Sequence, residues 1–420
     1  MSSKETRINP NPLSKNYTPK LGPQLLYKVD LLFYYTSGKV NSIVQVKGTD
    51  TIITVSSDQS IRVWVLRDSG KYFPSVCHYM KRTGTCLHYS NDHRKVFVGM
   101  DNGMISEFIL SEEFDGLDHV KDYDAHKNTV TGLHYSPEKQ WLLSCSKDKQ
   151  FQHHSAKTGL RWGGYQCKAA CTAIAFDEQS RYVFISDNVS DVTICKLDST
   201  LEGVVLVEII NGHNKLPIQS LNWNTGKNLL KTCSSNGCIS TWKINIHQKQ
   251  PNQRLYRQMG HRQKALYCQL DSSFEKLLSI AEDGEVLVWD MTKDIKERPE
   301  WLESDNCQLC NRPFFWNIPD MYEQTQLGVR QHHCRNCGKA VCHNCSPKFS
   351  ILPKFGYEID VRICKECNVK IEEDEAISKV KHFDLRQKSL VCLSYDELKN
   401  VLVTIGTDQV MKIWDMKSVF

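Results

Sequence analysis

At 420 residues, 24% charged and 40% hydrophobic, the chain is too long for one ordinary compact core unless it is a ring of repeats or carries an extra module. A net charge of +5 is too dilute to make nucleic acid the default partner. No run approaches the roughly eighteen apolar residues of a membrane-crossing helix, and the opening MSSKETRINPNPLSKNYTPK lacks the apolar stretch of a secretory signal, so a cytosolic protein is expected.

Residues 1–22 read as a flexible tail. PQLLYKVDLLF (23–33) follows as an apolar, strand-like segment. From there a short pattern recurs: an alternating apolar strand, a turn with Asp or Asn, then a second strand ending in an aromatic residue. SSDQSIRVWVL (56–66), SSNGCISTWKI (234–244), AEDGEVLVWDM (281–291) and GTDQVMKIWDM (406–416) are the clearest copies, and in each the Asp or Asn precedes the Trp by six residues. MDNGMISEFIL (100–110), SKDKQFQHHSA (146–156) and SDNVSDVTICK (186–196) are weaker ones. The strand-ending positions Trp64, Phe108, His154, Ile194, Trp242 and Trp289 step by 44, 46, 40, 48 and 47 residues, but the step to Trp414 is 125. Removing one repeat of about 45 residues leaves about 80 as an insertion between the sixth and seventh copies.

The repeats resemble the WD-repeat family. The Trp-Asp pair survives at Trp289-Asp290 and Trp414-Asp415, and Gly-His pairs stand at Gly212-His213 and Gly260-His261, with Ala125-His126 a looser version. The resemblance implies an all-β fold, a seven-bladed β-propeller in which His261, Ser279, Asp283 and Trp289 form the hydrogen-bond network that pins a blade. The seventh copy has no room for a fourth strand, so the segment 23–33 is expected to supply it and latch the ring; an eight-bladed or open array is the alternative. Residues 23–295 then hold blades 1–6 with the closing strand, and 376–420 the last blade. Comparing blade 6 with blade 1 places the insertion between the third and fourth strands, with SKVKHFDL (378–385) resuming the blade, and sets the insert on one face of the ring. NVKIEEDEAISK (368–379) reads as an exposed acidic connector.

Eighteen cysteines in a chain expected to be cytosolic point toward metal rather than disulfides. Eight fall in four Cys-x-x-Cys pairs: 307/310, 334/337, 342/345 and 364/367. The rest are scattered and read as buried thiols in strands. Structural zinc takes four N or S ligands, and each pair provides two from one tight turn, so four pairs complete two sites. The histidines of VRQHHCRNCG (329–338) are then not needed for metal; the alternative is that one of them displaces a cysteine. No acidic residue lies between Glu323 and Glu358, whereas Arg330, Arg335, Lys339, Lys348 and Lys354 do, with His332, His333 and His343. That field suits an anionic ligand.

Around the pairs the chain resembles the FYVE family of phosphoinositide-binding zinc fingers, over about residues 300–370. Arg330-Gln331-His332-His333-Cys334-Arg335 matches its basic motif, Arg362-Ile363-Cys364 its closing Arg-x-Cys, and Trp301 with Asp305 its opening Trp-Asp element. The resemblance implies two Zn2+ in a cross-brace, with Cys307, Cys310, Cys342 and Cys345 on the first and Cys334, Cys337, Cys364 and Cys367 on the second. It implies phosphatidylinositol 3-phosphate as ligand, gripped by Arg330, His332, His333, Arg335 and Arg362, with Asp305 accepting from inositol hydroxyls, and Leu327, Gly328 and Val329 as the apolar tip that enters the membrane. Guanidinium forks suit phosphate oxygens better than lysine point charges. Binding is expected to tighten as pH falls through the ordinary histidine range near 6.5.

The chain departs from the family in two places. Gln331 stands where Arg or Lys is usual, and Asp305 falls one place late for a Trp-x-x-Asp element. Between Cys310 and Cys334, PFFWNI (313–318) reads either as a larger membrane-contacting surface or, as favoured here for Phe314, Phe315 and Trp316, as a cluster packing the insert onto blade 6 or 7.

Together the two resemblances cover nearly the whole chain and are similar to small proteins with a propeller and an inserted FYVE finger. They imply no enzyme but an adaptor on the cytosolic face of early endosomes, with protein partners on the propeller and homo-oligomerisation as a route to avidity. A RING-like ubiquitin ligase scaffold, which also cross-braces two zincs, is the first alternative, and a nucleic-acid-binding zinc protein the second. No Gly-x-Ser-x-Gly elbow, phosphate loop or dinucleotide fingerprint supports catalysis.

Overall fold

A computed structural model of the chain describes all but residues 1–21, 32–37, 199–202, 214, 246–250, 271–274, 293–294, 372–377, 379, 388 and 420. The expected tail over 1–22 therefore lies outside the described residues except for Gly22, and so does most of the acidic connector. Seven four-stranded antiparallel blades form a ring, each running from an innermost to an outermost strand in chain order except the seventh, whose outermost strand comes from the start of the chain. Blade 1 comprises Val40–Gln45, Ile52–Ser56, Ser60–Leu66 and Tyr72–Tyr79. The second strands are buried over all or all but the first of their residues, wholly so in Ile52–Ser56 and Trp141–Ser146, because each sheet is covered by a neighbouring blade on both faces. That double cover explains why these segments read as continuous apolar runs where a one-sided sheet would alternate. The cores accordingly lie between blades: Ile53, Val55 and Val63 of blade 1 pack with Val96, Val98 and Phe108 of blade 2.

Ring closure is as expected. Gln24–Asp30 pairs antiparallel with Val410–Asp415 and becomes the outer strand of blade 7, behind Leu390–Asp396 and Val401–Gly406. Blade 7 meets blade 1 at the centre, where Gln45 N donates to Ser394 Oγ at 3.2 Å and Gly48 N to Asp396 Oδ2 at 3.3 Å.

The Trp spacing has a direct structural meaning. Trp64, Trp242, Trp289 and Trp414 each donate the indole N–H to a Ser or Thr hydroxyl ten residues earlier, on the neighbouring strand: Thr54 (2.9 Å), Thr232 (3.4 Å), Ser279 (2.8 Å) and Thr404 (2.9 Å). The Gly-His and Ala-His imidazoles meet the same positions, His126 at Ser144 (2.9 Å), His213 at Thr232 (2.7 Å) and His261 at Ser279 (2.8 Å). Blades 2 and 4, with Phe108 and Ile194 at the indole position, bury an apolar side chain there and have no such donor.

One residue of the expected blade 6 network is replaced. Asp283 does not reach His261; its Oδ1 accepts from Glu285 N at 3.1 Å, closing its own turn, as short Asp side chains commonly do. The longer Glu285 takes the imidazole instead, its Oε2 lying 2.9 Å from His261 Nδ1, while its Oε1 lies 3.4 Å from His382 Nδ1. Burial alone would raise the Glu285 carboxyl, but the hydrogen bonds from both histidines outweigh it and bring the group down to about 2. His382 lies on Lys381–Asp384, which pairs with Glu285–Asp290 as the fourth strand of blade 6. Glu285 thus ties together the two chain segments that the insertion separates.

The insert does not simply lie on a face of the ring: its hairpin Lys348–Leu352 and Tyr357–Ile363 extends the sheet of blade 5 to six strands at the rim. The join is a parallel bridge between Met259 and Tyr357, with Met259 N donating to Gly356 O at 2.7 Å. Gly356 sits at φ 71° and a Cβ there would stand 2.6 Å from Arg257 O, so the approach needs glycine. Arg298 locks the joint, donating from Nε to Phe355 O (3.1 Å) and from Nη2 to Arg257 O (2.6 Å) while lying 3.9 Å over the Tyr357 ring.

Candidate metal centres and anion site

The eight cysteines of the insert gather into two groups, Cys307, Cys310, Cys342 and Cys345, and Cys334, Cys337, Cys364 and Cys367, with all Sγ atoms of a group within 4.8 Å of one another. A Zn–S bond of about 2.3 Å makes the edge of a tetrahedron about 3.8 Å. The Cys310–Cys342 Sγ separation is 3.7 Å and that of Cys337 and Cys364 3.9 Å. Backbone N–H groups point at the sulfurs, Cys342 N at Cys307 Sγ (3.3 Å) and Cys364 N at Cys334 Sγ (3.2 Å), as thiolates require. The donor sets fit two Zn2+, and neither His332 nor His333 belongs to them. Each group joins one early pair to one pair about 30 residues later, the cross-brace that the resemblance implied.

His332 and His333 form a two-residue strand against Ala340–Val341. Alternation sends the two rings to opposite sides. His332 faces a cationic cluster: burial first, then the charges of Arg362, Arg330, His343 and Arg335, lower its pKa below the ordinary histidine value. His333 is stacked on Trp301, with ring centroids 4.7 Å apart and planes 9° from parallel, and its Nε2 is buried without a hydrogen-bond partner among the described residues. Its pKa is lowered by burial and by Arg335, against an opposing pull from Leu302 O and Glu303. Both rings are thus held below the ordinary histidine value.

Arg335 lies 4.5 Å over Trp301, so that the indole stands in contact with both Arg335 and His333. Arg335 Nη1 also donates to His333 O at 3.0 Å. Arg362 is fixed from the other side, Nη1 donating to Ser346 O at 2.6 Å and the guanidinium lying 4.7 Å from the Phe349 ring centre. Arg335 N donates to Arg362 O at 3.0 Å, which ties the two arginine-bearing segments together. Arg330 is exposed at the rim.

Other expected positions fall differently. Asp305 is exposed and engages through its carbonyl, which accepts from Phe314 N at 2.9 Å; the acid whose charge acts on His333 is Glu303. The Trp-x-x-Asp spacing that Asp305 misses falls on Ser304, whose carbonyl accepts from Gln331 Nε2 at 3.4 Å. Leu327 is 86% exposed at its loop tip, but Gly328 is buried and Val329 half-buried. A Cβ at Gly328 would meet Phe314 O and Phe315 Cα at 2.9 Å, so Gly328 shapes the tip and is not itself presented to lipid.

The aromatic cluster divides. Phe314 is fully buried, but in the core of the finger with Cys307, Val341 and Leu352 and not against blade 6 or 7. Phe315 and Trp316 are more than half exposed, as are Ile318 and Tyr322 of the short helix Ile318–Glu323. Among the described residues no helix is long and apolar enough to cross a membrane.

The FYVE zinc finger family model matches residues 300–373 and the WD domain, G-beta repeat, model matches residues 117–154. The chain is 37% identical over 412 residues to human WD repeat and FYVE domain-containing protein 2, covering 98% of both chains. It is 35% identical to mouse WD repeat and FYVE domain-containing protein 1, covering 90% of this chain and 91% of that one, and 31% identical to the Caenorhabditis elegans protein 2, covering 91% and 90%. Among solved structures, the WD40 propeller domain of Doa1 superposes with a TM-score of 0.60 at 14% identity, covering 94% of this chain and 97% of that one, which shows the fold alone.

Proposed function

The chain belongs to the WD repeat and FYVE domain-containing proteins, and from that premise we propose that its finger binds phosphatidylinositol 3-phosphate in membranes while the propeller carries protein partners. The supporting observation is that Arg330, Arg335, Arg362 and His343 all bear on the His332 ring in a finger whose metals are satisfied by cysteine alone. A phosphomonoester is the natural counter-ion for three guanidinium groups around an imidazole. His332 donates to its oxygens, and Arg330, at the exposed rim, meets it first; His333, turned the other way and stacked on Trp301, holds the motif in position. Asp305 keeps only a secondary role in this reading, with Glu303 closer to the histidine pair.

Leu327, beside the cationic cluster, enters the acyl boundary, with Phe315, Trp316 and Tyr322 as exposed apolar surface nearby in sequence. A head-group site with an apolar tip confines the protein to membranes that display the lipid, for which the cytosolic face of early endosomes is the expected address. Because the finger is bonded into blade 5 and does not hang on a linker, it holds the ring at a set orientation to the bilayer. The propeller then acts as a scaffold in signalling or vesicle traffic, and self-association would raise avidity.

The test is co-sedimentation with liposomes carrying the 3-, 4- or 5-monophosphate, using the full chain, Arg330→Ala and His333→Ala. Preference for the 3-phosphate that both substitutions abolish is expected. Equal binding to the three lipids would overturn the proposal.

A further inference from the structure

The anion site contains a residue that the basic motif does not supply. His343 lies inside the Cys342–Cys345 turn, outside the basic motif in the chain, and its side chain is exposed. The His332 and His343 rings stand 6.4 Å apart. Arg362 Nη1 lies 3.5 Å from His343 Nδ1 while its firm bond, at 2.6 Å, goes to Ser346 O. Facing a guanidinium N–H, Nδ1 serves as acceptor, which places the ring proton on Nε2 and leaves that N–H to donate to a ligand.

Gln331 supplies no charge where the motif usually has Arg or Lys, and its amide is turned to Ser304 O, toward the Trp301 segment. The site thus lacks one cationic side chain of the motif and holds an additional imidazole from the Cys342–Cys345 turn. We propose that His343 is a direct ligand of the phosphomonoester, a further imidazole that restores the contact forgone at Gln331. The proposal rests on the phosphoinositide reading above. The turn is anchored at both ends by metal-ligating cysteines, so the ring is presented without the entropy cost of ordering a mobile loop.

The experiment uses the full chain and vesicles containing phosphatidylinositol 3-phosphate, with matched vesicles lacking it. His343→Ala should weaken binding by about tenfold, the scale of a lost hydrogen bond to a charged group, with zinc content unchanged. Adding Gln331→Arg to that variant should return most of the affinity. In the unaltered protein, the His343 ring resonance should move on addition of inositol 1,3-bisphosphate, a readout that does not depend on any variant folding. Loss of binding in Arg330→Ala with full binding in His343→Ala and an unmoved His343 resonance would overturn this role and leave the lipid reading standing. Failure of the unaltered protein to prefer the 3-phosphate would instead remove the reading on which both rest.

Discussion

Blade 6 and the finger it carries are held by different forces. In the blade, Leu278, Ile280, Val286 and Val288 are sealed against Leu402 and Trp414 of blade 7, and one hydroxyl, Ser279, gathers an indole and an imidazole into a buried hydrogen-bonded set. In the finger, half of the buried cluster is cysteine, and the apolar share reduces to Phe314, Ala340, Val341, Leu352, Tyr357 and Ile363. A module of that size cannot close on apolar burial alone, so its structure is coupled to metal in a way that the ring's is not. Each part can therefore be unfolded without the other.

Removing zinc has the largest expected effect. Structural zinc supplies roughly 10–16 kcal/mol to such modules, so a strong chelator should unfold residues 300–370 and abolish vesicle binding. Limited proteolysis should then cut within the finger while the propeller persists as a nicked, compact core. Loss of the propeller at the same chelator concentration would show that the blade 5 joint couples the two folds.

Acid is expected to weaken the ring. Burial lowers His153 and His154 to about 4 and His213 to about 3, so these rings stay neutral in the folded propeller. Below the unfolded value of about 6.5 the unfolded chain binds protons that the folded chain refuses, and stability falls with pH. One unit below 6.5 each ring costs about 1.4 kcal/mol. Urea midpoints of the finger-deleted ring at pH 7.5 and 5.5 would measure it; unchanged midpoints would show that the three rings are not buried as described.

Phe314→Ala removes a fully buried aromatic ring from the core of the finger, and should cost about 3–5 kcal/mol without touching a zinc ligand. The chelator concentration needed for unfolding should drop while the thermal transition of the propeller stays in place. Glu285→Gln tests the clamp across the insertion, with about 1–3 kcal/mol expected from the weakened bonds to His261 and His382. Hydrogen exchange should rise first in Lys381–Asp384, the strand that returns from the finger. The smallest effect belongs to Leu327→Ala: the fold should be unaltered and vesicle affinity down several-fold by loss of buried methyl groups, with preference for the 3-phosphate intact. A change in that preference would place Leu327 in the head-group site.

Much of this was legible in the chain because the signals are local. A Cys-x-x-Cys pair defines its own turn, and the Trp of a third strand faces a hydroxyl ten residues back by hairpin register, so both patterns survive as fixed spacings. The ends of the ring were readable for a related reason, since a blade short of one strand needs the segment at 23–33. Other positions depended on reach. Asp283 and Glu285 both lie near His261, and only the turn geometry decided that the shorter carboxylate closes the turn and the longer one reaches the imidazole.

By itself, the sequence determined the repeat period, the long step before the last repeat and the four Cys-x-x-Cys pairs, because periodicity and ligand spacing are properties of neighbouring residues. Only the tertiary structure decided that the finger continues the sheet of blade 5, that Phe314 turns inward while Phe315 and Trp316 stay exposed, and that His343 joins the basic cluster. Those outcomes rest on contacts between segments far apart in the chain. A backbone edge at Met259 accepts any strand that arrives with the right register, and no local pattern of side chains announces which one will.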